Sequence, residues 1–391
     1  MAMPKRSVLK SLLFHENNCN NVKNKALSVC KRQRFFFMVY YTIYMILRDY
    51  FKIAIDQQAS DLHLVGGALP MIRCNGRLAA AGTEEVTHEF LASEIEKLIS
   101  PSQWKKFNDE RELDFSYEFF AKRFRINLHF QQSRIGLAAR LISGLSPNPS
   151  ALGFTDVMQG LTKLRDGLIL VTGPSGSGKS TTLAAMINII NEERDAHIIT
   201  IEDPIEYVFE NKKCLIEQRE LGNDTLSFAG ALKYSLRQDP NIIMVGEMRD
   251  AETMMAALTA AETGHLVLST LHTATAADTI FRVVDSFPPY QQAQVFNQLA
   301  STLRAIISQQ LLPRKGGGLI AAFEVLINNQ AVANLIRRNQ VSQIMSIIQT
   351  SATSGMISMN KSVDQLLERG LIEQTTAESR KRNLETQASY Y

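Results

Sequence analysis

Four short apolar runs, at 168–171, 197–201, 241–245 and 265–269, are separated by longer stretches in which apolar residues recur at helical spacing. Such runs predict the strands of a parallel sheet covered on both faces by helices. The upstream pattern is different. At 123–131, Phe124, Ile126, Leu128 and Phe130 alternate with Arg123, Arg125, Asn127, His129 and Gln131, as in a strand with one face buried. Residues 61–65 alternate in the same way, and Asn75-Gly76 between two short apolar arms at 71–80 predicts a tight hairpin. Helices are expected at 46–58 and 89–98, and a strand at 135–142. The pattern thus predicts a small α+β domain with a largely antiparallel sheet at 45–143, and an α/β domain at 151–375. Between them, 144–150 is rich in Ser and Pro and reads as a linker. Later in the chain, 290–312 has Val295, Leu299, Leu303, Ile306 and Ile307 at core spacing and predicts one long helix. A strand at 320–326, helices at 331–338 and 358–369, and a frayed polar tail at 376–391 complete the expectation.

Composition changes this picture little. The 391 residues are 45% hydrophobic and 21% charged, with a net charge of +3. That charge is too small to indicate nucleic acid or a membrane surface as partner. Cys19, Cys30, Cys74 and Cys214 show no C-x-x-C spacing, which speaks against a zinc site or a disulfide framework and fits a reducing compartment. The 13-residue apolar run at 35–47, preceded by Lys31, Arg32 and Arg34, is shorter than the roughly 20 residues of a membrane span. Its layout resembles a signal peptide, but no small-residue cleavage site follows closely. The reading adopted is that residues 1–44 are an extension outside the working protein, with translation starting at Met45 or Met38; a membrane-surface anchor is the alternative.

The chemistry concentrates at the ends of the four runs. After 168–171 comes Gly173-Pro174-Ser175-Gly176-Ser177-Gly178-Lys179-Ser180-Thr181, a phosphate-binding loop between a strand and a helix. The glycines let backbone N–H groups curl around phosphates, and the helix that follows adds the positive end of its dipole. Lys179 reaches the terminal phosphates and Ser180 ligates Mg²⁺. The second run ends in Glu202-Asp203-Pro204-Ile205-Glu206, whose carboxylates are suited to hold Mg²⁺ or orient a water. Acidic residues at strand ends also cap helices, which is the structural reading of the same residues. The third run leads to Glu247, placed to polarise an attacking water. The fourth begins at His265 and leads to His272. The two histidines lack a third partner for a closed metal site, which leaves His265 as at most one metal ligand beside Ser180, Asp203 and Glu206. His272, at a carboxyl strand end, reads as a sensor of the γ-phosphate.

Four ordered stretches, GPSGSGKSTTLAAM at 173–186, TIEDPIEYV at 200–208, NIIMVGEMRDAET at 241–253 and GHLVLSTLHT at 264–273, resemble the Walker A, Asp-box, Walker B and His-box motifs of the type II/IV secretion ATPases. ASDLHL at 59–64, ELDFSY at 112–117 and 215–240 resemble the same family, and the likeness runs from about 45 to 372. The resemblance implies a RecA-like P-loop ATPase domain preceded by a PAS-like domain, and it implies ATP with Mg²⁺. It also implies a homohexamer in the cytoplasm, peripheral to the inner membrane at a pilus platform protein, without nucleic acid and without membrane insertion of the body. Glu202, Asp203 and Glu206 match the Asp box, Glu247 the catalytic glutamate, and His265 and His272 the His box. Arg123, Arg125 and Arg140 match arginines that complete a site at the subunit boundary. Gln132 stands where the family often has Arg, with Arg134 nearby, and Arg338 stands where Glu is usual.

Among family branches the chain looks most like the motors that retract type IV pili; a secretion or pilus-assembly motor is the alternative. Secretion and assembly members commonly carry a four-cysteine zinc insertion that this chain lacks. From other classes, a nucleotide-dependent regulator is opposed by Glu247, and a nucleic-acid translocase by the lack of a basic, aromatic-interleaved stripe.

Overall fold

The computed structural model describes residues 46–74, 76–142 and 149–381. The extension at 1–44, most of the linker and the tail from 382 lie outside the described residues. The described chain divides into two compact units.

The first unit opens with α1 (Leu47–Asp56), which buries Leu47, Tyr50, Phe51 and Ala54, one helical stripe. Then come β1 (Asp61–Val65), β2 (Met71–Cys74) and β3 (Arg77–Ala80). Cys74 pairs with Arg77 across the expected two-residue turn, and Asn75 itself lies outside the described residues. Helix α2 (His88–Leu98) is capped by the Thr87 hydroxyl, and α3 (Pro101–Glu110) by a capping box of Ser100 and Gln103. Strands β4 (Glu112–Phe119), β5 (Lys122–Gln131) and β6 (Arg134–Leu141) complete a six-stranded sheet of order β3-β2-β1-β6-β5-β4. Phe124, Ile126 and Leu128 of β5 are buried, as the alternation requires. The tips at 115–118 and 122–125 group with the second unit rather than the first.

The second unit begins with a 3-10 turn (Pro149–Leu152) on the last residues of the expected linker, then α4 (Asp156–Leu161). There follow β7 (Gly167–Thr172), α5 (Lys179–Glu193), β8 (His197–Glu202), β9 (Leu215–Glu220), α6 (Phe228–Ser235), β10 (Ile242–Val245), α7 (Ala251–Glu262), β11 (Leu266–Leu271), α8 (Ala276–Asp285), α9 (Pro289–Thr302), β12 (Leu303–Pro313) and β13 (Leu319–Ile327). Helices α10 (Gln330–Arg337), α11 (Ile344–Thr350), α12 (Met359–Glu368) and α13 (Gln374–Arg380) close the unit. The seven-stranded sheet has the order β13-β12-β7-β11-β10-β8-β9 and is parallel except for β13. The four apolar runs of the sequence are its four central strands, and they are buried on both faces. Leu168 and Leu170 of β7 join one apolar layer while Ile169 and Val171 join the other. That alternation puts residues 168–171 of β7 in contact with core on both sides of the sheet.

Two expectations need correction. The helix expected at 290–312 ends at Thr302, and β12 takes over from Leu303. Leu303, Ile306 and Ile307 satisfy helical spacing by coincidence, because Ala305 to Gln309 are all buried between β7 and β13. Pairing on both sides overrides the local pattern. The tail expected to fray from 376 instead continues as α13 to Arg380, with Ala377 buried against Leu312 and Val363.

Candidate nucleotide site

The site is built where β7, β8, β10 and β11 end. β7 runs into 173–178, and α5 starts at Lys179 with Gly178 as its N-cap at φ 86°. Gly173 has φ 148°, and a Cβ there would lie 2.4 Å from the Gln309 carbonyl and 2.6 Å from Ser177 Oγ. Only glycine lets the loop sit so close to β12. Pro174, Ser175 and Gly176 are exposed at its crest, while Ser177 is buried and its Oγ has no partner. An orphaned donor inside a glycine loop at a helix N-terminus fits a phosphate oxygen. Lys179 Nζ donates to the carbonyls of Gly173 (2.9 Å) and Pro174 (3.1 Å), which folds it back across the loop. Burial pushes its ammonium below the ordinary value, countered by the carboxylates of Glu247 and Glu206. Glu206 is exposed in the turn after β8.

His272 links the loop to Glu247. Its Nδ1 lies 3.5 Å from both Lys179 Nζ and Ser175 Oγ, and its Nε2 lies 3.3 Å from Glu247 Oε1. An ammonium can only donate, so the network assigns Nδ1 as acceptor and Nε2–H as donor to the carboxylate. Glu247 Oε2 accepts from Arg249 Nε at 2.9 Å. Two donors thus fix the two oxygens of Glu247, one of them reporting on the phosphate loop. Asp250, next in the chain, caps α7 through the Thr253 amide and has a structural role.

Glu202 ends β8 and is 7% exposed. Burial pushes its carboxyl up to about 7, although Thr200 Oγ1 (2.7 Å), Gln218 Nε2 (3.1 Å) and the Glu206 amide (3.4 Å) all donate to it. Glu202 is therefore a buried anchor for the turn, whereas Asp203 and Glu206 are exposed. Tyr207 ties that turn to the phosphate-loop helix through its hydroxyl, 2.9 Å from Thr181 Oγ1.

Four expected residues stand elsewhere. His265 precedes β11; its carbonyl accepts from the Gly167 amide and its Nδ1 is 3.0 Å from the Ala260 carbonyl. That is the amino end of the strand whose carboxyl end carries His272, about 20 Å away at the usual rise. The structure does not bring His265 to the other candidates. Arg140 Nε donates to Asp61 Oδ1 at 2.9 Å inside the first unit. Arg123, at a β5 tip that groups with the second unit, donates to buried Glu220, and Arg125 beside it is exposed. Gln132 and Ser133 form the left-handed turn between β5 and β6, and Arg134 Nη1 reaches back to the Gly66 carbonyl at 3.4 Å.

Sequence reading missed Gln309, whose Oε1 accepts from Thr182 Oγ1 at 2.6 Å, and Ser308, which accepts from Thr172 at 3.0 Å. Both lie in the stretch expected to be helix at 290–312; polar residues inside an otherwise apolar run are the available signal. Tyr207 and Gln218 carry no sequence signal because their partners are remote in the chain, whereas Arg249 stands two residues from Glu247 and no local pattern singles it out.

Among the described residues no three His, Cys, Asp or Glu side chains form a dedicated metal cage. Mg²⁺ bound chiefly by phosphates needs none, and the oxygen donors here, the Ser180 hydroxyl and the carboxylates of Asp203 and Glu206, are of the hard type it prefers.

The family described as type II/IV secretion system protein matches residues 150–317. The chain is 45% identical over 334 residues to the type IV pilus retractation ATPase PilT of Pseudomonas aeruginosa, covering 85% of this chain and 97% of that protein. It is 47% identical over 321 residues to a twitching motility protein of Neisseria gonorrhoeae, covering 81% and 85%. The crystal structure of the pilus retraction motor PilT with bound ADP superimposes with a TM-score of 0.81 at 44% identity, covering 88% of this chain and 99% of that one.

Proposed function

The chain belongs to the type II/IV secretion ATPase family, and from that premise we propose that it is an ATP-hydrolysing motor that retracts type IV pili and so drives twitching motility. The observation that carries the reading is the continuous arrangement from Lys179 and Ser175 through His272 to Glu247. It connects the group that holds terminal phosphates to the group that takes a proton from water.

The steps follow from these contacts. Backbone N–H groups of 173–178 and the Lys179 ammonium bind the β- and γ-phosphates, for which Lys179 exchanges its carbonyl partners. Glu247, held by Arg249 and His272, orients the attacking water and accepts its proton. His272 senses whether the γ-phosphate is present, since it touches Ser175 and Lys179 on one side and the base on the other. Ser180, Asp203 and Glu206 would hold Mg²⁺, which would neutralise phosphate charge when bound. Six copies form the working ring, and Arg123, Arg125 and Arg140 complete a neighbouring copy's site. Arg123 and Arg140 can do so only by leaving Glu220 and Asp61. Hydrolysis then changes domain arrangement and moves the filament, with the ring docked on a platform protein at the inner membrane.

The test is a count of surface pili on cells carrying Lys179→Ala. The expected result is more pili together with loss of twitching. Bald cells would identify an assembly motor, and unchanged pili a secretion motor; either outcome overturns retraction. Purified Lys179→Ala should lose ATP hydrolysis by at least about a hundredfold, as removal of a terminal-phosphate contact requires.

A further inference from the structure

β9 is one of the two edge strands of the second sheet, and two residues apart on it stand Gln218 and Glu220. Spaced by two, they share a face of the strand. Both reach one segment, the turn from Glu202 to Phe209, although Glu220 also accepts from Arg123 and Asn223. Gln218 Nε2 donates to Glu202 Oε1 (3.1 Å) and to the Tyr207 carbonyl (2.8 Å), and its Oε1 accepts from the Phe209 amide (2.9 Å). The Phe209 amide can only donate and the Tyr207 carbonyl can only accept, which dictates the orientation of the carboxamide. Glu220 Oε2 accepts from the Ile205 amide at 3.1 Å. Backbone groups at 205, 207 and 209 are thus satisfied by side chains of the neighbouring strand.

This segment carries the exposed Asp203 and Glu206. It also carries Tyr207, whose hydroxyl is bonded to Thr181 in the first turn of the phosphate-loop helix. Gln218 bonds both ends of the segment, at Glu202 and at Phe209, and Tyr207 ties it to the loop it serves. We propose that Gln218 is a positioning residue for ATP hydrolysis, holding the Glu202–Phe209 turn so that Tyr207 stays on Thr181 at the start of the phosphate-loop helix.

Gln218 touches no phosphate-loop atom, so its loss leaves nucleotide binding to the backbone of 173–178. Its absence frees the turn, and displacements of about an ångström at a reacting centre cost on the order of a hundredfold in rate. This inference rests on the hydrolytic reading above. Steady-state ATP hydrolysis by the full chain is therefore compared for wild type, Gln218→Leu, Tyr207→Phe and the double variant, with ADP-induced thermal shift as the check on folding. The expected result is a kcat at least tenfold lower in Gln218→Leu with KM for ATP within twofold. In the Tyr207→Phe background the same change should cost less than twofold more, because it acts through a hydroxyl already removed. A merely structural Gln218 would lower the melting temperature alone, or lower kcat by the same factor in both backgrounds, and either result overturns the inference. If Gln218→Leu fails to fold, Tyr207→Phe removes one hydroxyl from the same relay; an unchanged kcat there overturns it, and a several-fold loss with KM for ATP within twofold supports it. A wild type without ATPase activity sinks the hydrolytic reading itself, which is a separate outcome from active enzyme with indifferent variants.

Discussion

Two loops meet at the carboxyl edge of the second sheet, and they are held in different ways. The phosphate loop at 173–178 is shaped by backbone: glycines at positive φ, a helix that starts inside the motif, and a lysine folded onto its own carbonyls. The turn at 202–209 is shaped by side chains of another strand, Gln218 and Glu220, and by the Tyr207 hydroxyl. A loop made by its own backbone is a rigid anion nest whatever surrounds it. A loop held by remote side chains can be released one contact at a time, which suits a segment that must respond to nucleotide.

Four measurements would break or sharpen that contrast, the largest expected effect first. Glu247→Gln keeps the shape of the base but cannot accept a proton, so kcat should fall by about a hundredfold to a thousandfold. Binding of ATP, read by isothermal titration, should persist; lost binding would mean Glu247 shapes the loop instead. Gly173→Ala places a Cβ 2.4 Å from a carbonyl at φ 148°, a strain of about 1–3 kcal/mol. The KM for ATP should then rise about tenfold, at the usual 1.4 kcal/mol per decade. An unchanged KM would show that the loop adapts, contrary to a backbone-built nest.

The third measurement concerns the side-chain-built turn. The Glu202 carboxyl is raised from 4.5 to about 7. Between those values the folded protein keeps a proton that the unfolded chain gives up, so stability falls as pH rises through the window and stays lost above it. The full effect is about 3 kcal/mol. Glu202→Gln has no proton to lose, so its melting temperature relative to wild type should climb from pH 5 to pH 8. Parallel curves would mean that Glu202 is ionised throughout. The smallest effect is expected at Arg249, whose side chain is 61% exposed beside Glu247. Arg249→Ala should change stability by no more than about 1 kcal/mol, as exposed pairs do, while lowering kcat only a few-fold; a loss as large as that of Glu247→Gln would make Arg249 a direct participant.

The same contrast explains what could be read before any coordinates existed. The strands β7, β8, β10 and β11 were legible because residues buried on both faces must be apolar throughout. The phosphate loop was legible because its conformation demands glycines at fixed places next to a lysine. His272 and Glu247 were legible because they follow buried strands directly. β12 was not, since Leu303, Ile306 and Ile307 suit a helix as well as a strand and only pairing with β7 and β13 decides between them. Gln309, packed under the phosphate loop, was lost with it.

His265 shows the limit from the other side. It sits in a run with His272, and local sequence cannot say that a strand of six residues, Leu266–Leu271, carries the two to opposite edges of the sheet. Gln218 is the complementary case, far from the turn in sequence and bonded to it in three places. The sequence by itself determined the elements whose burial or backbone geometry restricts residue type at each position, and with them the nucleotide loop. The tertiary structure alone decided which polar side chains converge, because a hydrogen bond between separate strands leaves no periodic trace in either of them.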